Sequence, residues 1–403
     1  MLTPVTGIVA EYNPFHRGHL HQLKEARELC DAQAVVAVLS SNFVQRGEPA
    51  LLDKWTRAEA ALACGADLVL ELPVVFSSHN AGVFANGAVD ILAGTGRVTH
   101  LSFGAENPDL LTDNIIDILL EEPKPFKLSL RKFLKEGFSF VEARAKAAEE
   151  MLPGAASLLS GSNNTLALAY MMRIRKKQYR IAPLPIQRTG GGYNDATLCA
   201  IASATAIRAA LRDGKTAAAL EALPEASAAI LRKARESGRV SIGTELFWKL
   251  LRALLLRQKP EELASLAEMG EGIEFRLREA ALESQSYEEW KNRCSSRRYP
   301  AGRVARSAIH ILLGLSHWDN RAFQRLGPQW IRPLAMNTTG QRLLREMKKT
   351  ATLPIISTLG QAARLSPCAA KIAEYEQLAC ELWEEIIPKG KPGSEHKRKI
   401  IIA

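Results

Sequence analysis

The chain has 403 residues, with 53 Lys and Arg against 43 Asp and Glu and a formal net charge of +10; it is too long for one small domain, so two domains with real cores are expected. The N-terminus runs straight into an apolar stretch with no basic leader region, and no apolar span is long enough to cross a bilayer, which excludes a membrane protein and predicts a soluble, cytoplasmic one. Six cysteines, Cys30, Cys64, Cys199, Cys294, Cys368 and Cys380, show no Cys-x-x-Cys spacing and fall mostly in helical patterns, which argues for reduced thiols.

The first pattern is an apolar run from Thr6 to Ala10, a break at Asn13-Pro14, and His16-x-Gly18-His19 opening an amphipathic helix through Leu20, Leu23, Ala26 and Cys30. A strand, a turn and a helix start gather free backbone N–H groups at the positive end of a helix dipole, which favours an anion and above all phosphate. Imidazoles three residues apart share one face of the first turn, and Gly18 lets a ligand approach the backbone. The arrangement suits adenylyl transfer, with donors placed where charge builds on an α-phosphate. A His pair also fits a zinc half-site or a polar helix start. No Cys or acidic neighbour has metal-ligand spacing, however, and no protein-held metal is expected.

Ala34 to Ser40 reads as a strand covered on both faces. Ser41 to Pro49 follows as a polar loop, Asp53 caps a helix running to Gly65, and Asp67 to Pro73 is a third strand. A Gly- and Ala-rich helix from about Asn80 to Ala93 precedes a fourth strand from Thr99 to Glu106. This alternation predicts right-handed crossovers and a Rossmann-like, doubly wound parallel sheet, with ligands at the carboxyl ends of its strands. The unusual polar residues lie at those ends, in Asn13 to His19, Asn42 to Arg46, Pro73 to His79 and Gly104 to Glu106.

From Pro108 to about Tyr179 the spacing turns helical, with helices expected from Asp109 to Leu120, Phe126 to Leu134, Phe140 to Met151 and Ser162 to Arg175. Arg180 to Arg188 reads as a strand that Pro183 and Pro185 place at an edge, and Thr189 to Asp195 as a flexible Gly-rich loop. Ser203 or Thr205 then caps a helix with Arg208 one turn in, a second phosphate-grade start that taken alone is an ordinary N-cap. Beyond Gly214 no strand pattern is visible and an all-α half is expected. Its segment from Trp290 to Arg306 crowds Arg297, Arg298, Arg303 and Arg306 around Trp290 and Tyr299. That fits RNA phosphates beside base-stacking rings as well as it fits a solvated loop before a core helix. The tail from Lys389 to Lys399 reads as a disordered basic end with unspecific attraction for RNA.

His16-Arg17-Gly18-His19 is the HxGH signature of the nucleotidylyltransferase superfamily, and Ser203-x-Thr205-x-x-Arg208 resembles its later ISSTxxR phosphate motif. More narrowly, Ala10 to His19, Gln45 to Pro49, Asp53 to Trp55, Gly65 to Pro73, Ser102 to Glu106, Asn163-Asn164 and Ser203 to Arg208 are similar to the tRNA(Met) cytidine acetate ligase family. The likeness is dense in the N-terminal half and continues weakly through Arg298-Tyr299 and His310 to Leu313.

The resemblance implies a bacterial, HUP-type α/β enzyme that activates acetate with ATP as acetyl-adenylate, releasing pyrophosphate. It then passes the acetyl group to N4 of the wobble cytidine of elongator tRNA(Met), with magnesium accompanying the ATP. It places ATP on Gly7, Ile8, Val9, Ala10, Glu11, Tyr12, Asn13, Pro14, Phe15, His16, Arg17, Gly18, His19 and Leu20, on Gly104, on Asn163 or Asn164, and on Arg188. His16 and His19 would stabilise the α-phosphate while Ser203, Thr205 and Arg208 hold the leaving phosphates. Arg17 stands where the shorter Asn is usual, an extra guanidinium beside the phosphates. The expected organisation is a catalytic domain over 1–214 with a helical insertion at about 108–179, a helical tRNA-binding domain over 215–388 gripping tRNA through Arg297, Arg298, Arg303 and Arg306, and a basic tail over 389–403. No membrane or DNA partner is expected. The rivals are another small-molecule adenylyltransferase, which would leave the basic helical half unexplained, and a non-catalytic RNA-binding protein that retains a nucleotide fold.

Overall fold

Four strands are apolar enough to be covered on both faces: β1 (Val5–Ala10), β2 (Ala34–Ser40), and, after the two-residue strands β3 (Phe43–Val44) and β4 (Glu48–Pro49), β5 (Leu68–Leu72) and β6 (His100–Ala105). The computed structural model describes residues 3–188 and 203–403, apart from the side chains of Ser160 and Ser162. The expected Gly-rich loop and Cys199 lie outside the described residues. β7 (Ala182–Gln187), mostly exposed, forms the edge that its two prolines predict.

The sheet order is β7-β6-β1-β2-β5-β8-β9, where β8 is Pro333–Met336 and β9 is Ile401–Ile402, with β1, β2, β5, β6 and β7 all parallel. Helices α1 (Arg17–Glu28) and α2 (Lys54–Ala63) carry the chain outward from β1 to β5. After the one-turn α3 (Val74–Ser77), α4 (Ala81–Gly94) brings it back across to β6 on the other side of β1. The crossovers therefore diverge at β1 and β6, the switch point where such sheets hold ligands. The two-residue period of β2 divides its core accordingly. Val35, Ala37 and Leu39 pack with Leu23, Trp55 and Ala58 of α1 and α2, whereas Val36 and Val38 face Val89 and Leu92 of α4. Gly7 is required by this packing, since a Cβ there would lie 2.8 Å from Leu92.

Between β6 and β7 the expected helices appear as α5 (Asp113–Glu121), α6 (Lys124–Lys135), α7 (Phe140–Met151) and, after the short α8 (Ala155–Ser160), α9 (Ser162–Lys177). α10 (Ala204–Arg212) follows, capped by Ser203. No helix among the described residues is long and apolar enough to cross a membrane.

Two expectations for the C-terminal half are corrected. It is mainly helical but contains strands: β8 (Pro333–Met336) pairs antiparallel with β5, and β9 (Ile401–Ile402) pairs parallel with β8. Both are too short to show a two-residue period. The tail is also folded, because Glu395 completes a buried charge network. Lys54 Nζ lies 2.6 Å from Glu71, 2.7 Å from Glu376 and 3.2 Å from Glu395. Arg332 lies 3.1 Å from Glu71 and 2.8 Å from Glu395, and Trp55 donates its indole N–H to Glu395 at 2.9 Å. Withdrawing one member would strand the others away from water, at a cost of about 3–5 kcal/mol. The Lys-Arg-Lys count hid that single acidic anchor.

Candidate active site

The turn after β1 sets the site. Tyr12 takes a left-handed φ of 46°, the Asn13–Pro14 bond is cis, and His16 becomes the N-cap of α1. His16 Nδ1 accepts from the Gly18 amide at 3.1 Å, and His19 Nδ1 accepts from the His16 amide at 3.2 Å. The two rings stack with centroids 3.6 Å apart and planes 21° from parallel. Because each Nδ1 is an acceptor, the hydrogen of each neutral ring belongs on Nε2, and each ring keeps one N–H donor for a ligand. Burial, followed by the charges of Arg188, Arg208 and Arg46, lowers the His16 pKa to about 3. Burial and His16 likewise push His19 well below its ordinary range. Both imidazoles are therefore neutral donors near pH 7.

The cleft beside them lies at the β1/β6 switch point and is lined by Val9 to Asn13, His16, His19, Gln45, Arg46, Gly104, Asn163, Arg188, Ser203 and Ala204, among others. Ser203 Oγ accepts the Ala206 amide at 3.2 Å, so a second helix N-terminus opens on the same space. Arg46, carried by the β3–β4 hairpin, donates to Thr205 Oγ1 at 2.7 Å. Arg208 is a brace: it donates to the Asn13 carbonyl at 2.7 Å and pairs with Glu48 at 2.5 Å, tying turn, hairpin and α10 together. Phe84, Phe103, Leu166 and Tyr170 give the cleft an apolar wall.

Glu11 is the only carboxylate among the described lining residues. It accepts the Gln45 amide at 2.9 Å and lies 3.9 Å from Arg46. Burial pushes its pKa up, and Arg46 partly offsets this.

The expected site residues divide clearly. Val9, Ala10, Glu11, Tyr12, Asn13, His16, His19, Gly104, Arg188 and Ser203 line the cleft. Gly7 and Ile8 face the core, Phe15 is buried, and Thr205 and Arg208 reach the site through Arg46 and Asn13. Pro14, Gly18 and Leu20 shape the turn and the first helical turn without lining the space. The two asparagines separate: Asn163 lines the cleft, whereas Asn164 is fully buried, accepting the Glu106 amide at 2.9 Å and donating to Asn107 at 3.1 Å. Arg17 is not among the lining residues, and its guanidinium donates to the Glu221 carbonyl at 3.2 Å. Gln22, Gln45, Arg46, Phe84, Phe103, Leu166, Tyr170 and Ala204 are the additions. Arg46 was visible in a polar stretch at a strand end, but the apolar ones carry no signal that distinguishes them from core.

The basic segment differs from its expectation. Trp290 is fully buried and donates its indole N–H to the Leu277 carbonyl at 2.9 Å, and Tyr299 is buried with its hydroxyl on the Glu271 carbonyl. Neither ring is a stacking platform, because a 13-residue helix, Ala301–Leu313, packs its apolar face over that core. The arginines have acidic neighbours: Arg297 with Glu142 at 3.0 Å, Arg298 and Arg303 with Glu271 at 3.7 and 3.3 Å, and Arg306 with Glu268 at 3.8 Å. The side chains of Arg297 and Arg298 remain 66% and 63% exposed. Exposed pairs of this kind are worth only about 0–1 kcal/mol, so a phosphate can compete for them.

Comparison with known proteins finds relatives along nearly the whole chain. The HIGH Nucleotidyl Transferase family matches residues 3–398. The tRNA(Met) cytidine acetate ligase of Acetivibrio thermocellus is 35% identical over 412 residues, covering 99% of each chain. That of Syntrophomonas wolfei is 37% identical over 386 residues, covering 94% of this chain and 92% of its own. Among solved structures, Thermotoga maritima TmcAL in its apo form I superposes with a TM-score of 0.94 at 31% identity over 99% of both chains. The same protein bound with alpha-thio ATP superposes with a TM-score of 0.92 at 30% identity, again over 99% of both. With paired imidazole donors, two converging helix starts and relatives matched end to end, the chain belongs to the HIGH nucleotidyl transferase family and, within it, to the tRNA(Met) cytidine acetate ligases.

Proposed function

We propose that this protein is an ATP-dependent, tRNA-modifying ligase that activates acetate as acetyl-adenylate and acetylates N4 of the wobble cytidine of elongator tRNA(Met). The observation that carries the proposal is the pair of neutral imidazoles whose free Nε2–H donors sit at the start of α1, across from the start of α10. An acetate oxygen attacks the α-phosphorus in line, forming one P–O bond while the bond to pyrophosphate breaks. His16 and His19 donate to the α-phosphate oxygens as charge grows there, Arg46, Arg188 and the α10 N-terminus receive the leaving phosphates, and Thr205 and Arg208 hold these groups in position. The apolar wall of Phe84, Phe103, Leu166 and Tyr170 excludes water from the mixed anhydride.

In the second step the N4 lone pair attacks the acetyl carbon, AMP leaves, and the amine gives up a proton. Glu11 is the carboxylate in reach of the cleft that can accept from a cytosine amine and take that proton. Magnesium, when bound, neutralises triphosphate charge. With Glu11 alone among the described lining carboxylates, the chain offers no paired-carboxylate seat, and the ion fits as one carried in on ATP. An anticodon loop presents its bases unstacked, which suits a cleft that must reach an exocyclic amine. The helical half, through Arg297, Arg298, Arg303 and Arg306, grips the tRNA backbone. Incubation with ATP, labelled acetate and total tRNA, followed by nucleoside mapping, tests the proposal. Label on the wobble cytidine of one tRNA supports it, and labelled adenylate with no labelled tRNA refutes the second step.

A further inference from the structure

Away from the cleft, three residues from distant parts of the chain converge. His79 precedes α4, Glu268 lies in a loop after the Pro260–Ala264 helix, and His310 lies in the last turn of the Ala301–Leu313 helix. One ligand-type atom from each lies within 4.8 Å of the others. His79 and His310 are fully buried, and the Glu268 side chain is 19% exposed.

Hydrogen bonds orient both rings. His79 Nε2 lies 2.8 Å from Asn320 Oδ1, an oxygen that also accepts from Gln324 Nε2 at 3.1 Å, so His79 Nε2 must donate. His310 Nε2 lies 3.2 Å from the Ser78 carbonyl, which can only accept. In neutral rings both Nδ1 atoms are then lone pairs, that of His79 with the Asn80 side-chain amide nitrogen 3.5 Å away. His79 Nδ1 faces Glu268 Oε1 at 3.2 Å, acceptor against acceptor, although Oε1 also accepts from Asn80 Nδ2 at 2.9 Å; His310 Nδ1 and Glu268 Oε2 are buried with no hydrogen-bond partner, with Arg306 Nε 3.8 Å from Oε2. A proton on His79 Nδ1 would relieve that contact but would leave His310 Nδ1 and Glu268 Oε2 without a hydrogen bond, and buried polar atoms without one are costly. A single cation shared by the three residues answers all of them.

We propose that His79, Glu268 and His310 form a binding site for a divalent transition-metal ion, zinc above all, with the two Nδ1 atoms and the Glu268 carboxylate as ligands. Two imidazoles and a carboxylate form a borderline donor set that suits zinc and disfavours magnesium or calcium, which require oxygen. Each imidazole already donates its other N–H to an amide or carbonyl oxygen, the outer-shell arrangement that fixes metal-bound histidine. Ligand atoms at the usual reach of about 2.0–2.2 Å from zinc are at most about 4 Å apart, so the site must tighten by about 1 Å on binding. Glu268 is the ligand able to move, being on a loop with a left-handed φ of 58° and partly open to solvent. It also supplies the entry path. A bound ion would pin the helix that carries Arg303 and Arg306 to the loop beneath it.

The test uses the full chain, stripped with a chelator and dialysed against zinc without nucleotide. One zinc per chain is expected. Cobalt in its place should show ligand-field absorption with no thiolate charge-transfer band, which separates this site from the free cysteines. Glu268→Gln and His310→Gln should each weaken zinc binding by at least the about 10–100-fold typical of losing even an outer-shell partner, with ATP binding and circular dichroism retained. Substoichiometric zinc in the parent protein, a cobalt–thiolate spectrum, or undiminished affinity in both variants would overturn the site.

Discussion

Two histidine pairs in this molecule use one side chain for opposite purposes. In the cleft, backbone amides hold Nδ1 of His16 and His19, so the remaining nitrogens are N–H donors and the pair invites an anion. Beneath the Ala301–Leu313 helix, oxygens hold Nε2 of His79 and His310, so the remaining nitrogens are lone pairs beside a carboxylate and the pair invites a cation. The partner of the first nitrogen decides what the second one offers. Residue type is shared by both pairs and does not distinguish them.

The largest effect should break the cleft pair alone. His19→Ala removes one donor of the kind typically worth about 10²–10³ in rate, so adenylate formation should fall by that factor while His310→Gln leaves it unchanged. Equal losses in both variants would erase the distinction.

A next effect separates the cleft from the basic segment. Replacing Arg297, Arg298, Arg303 and Arg306 together should weaken tRNA binding and flatten its salt dependence, by about 0.7–0.9 in log–log slope for each phosphate no longer neutralised, while sparing adenylate formation. An unchanged slope would assign tRNA to another face.

Proton linkage offers a subtler check. His16 and His310 both have folded pKa values lowered to about 3, against an ordinary value near 6.5. Between these values the unfolded chain binds more protons than the folded one. Stability is therefore fully present above about pH 6.5 and declines as pH falls toward about 3. Urea titrations at pH 7 and pH 5 should show this loss. ATP should recover the part due to His16 and zinc the part due to His310, because each ligand binds its own pair. The smallest effect expected is Ser203→Ala, which removes an N-cap worth about 1 kcal/mol and should raise the KM for ATP more than it lowers kcat.

Much of the catalytic half was legible because its signals are local. The alternation from β1 to β6 gives a parallel sheet, and His16 to His19 with Ser203 marks two helix starts that the fold turns toward one space. What was not legible depends on distant partners. Trp290 and Tyr299 read as a stacking surface, but the helix after them buries both rings, and the hydrogen bond from Arg17 to the Glu221 carbonyl joins positions more than two hundred residues apart. Glu395 sits in a basic tail but is a buried counter-charge for Lys54, more than three hundred residues earlier in the chain. His79, Glu268 and His310 have no motif spacing at all, since only packing brings them together.

The central claim, that the cleft imidazoles drive acetyl-adenylate formation, is tested most directly by acetate-dependent exchange of labelled pyrophosphate into ATP, measured without tRNA in the parent protein and in His19→Ala. Exchange is expected in the first and a loss of about 10²–10³ in the second. Exchange that needs no acetate, or that survives unchanged in His19→Ala, would contradict it.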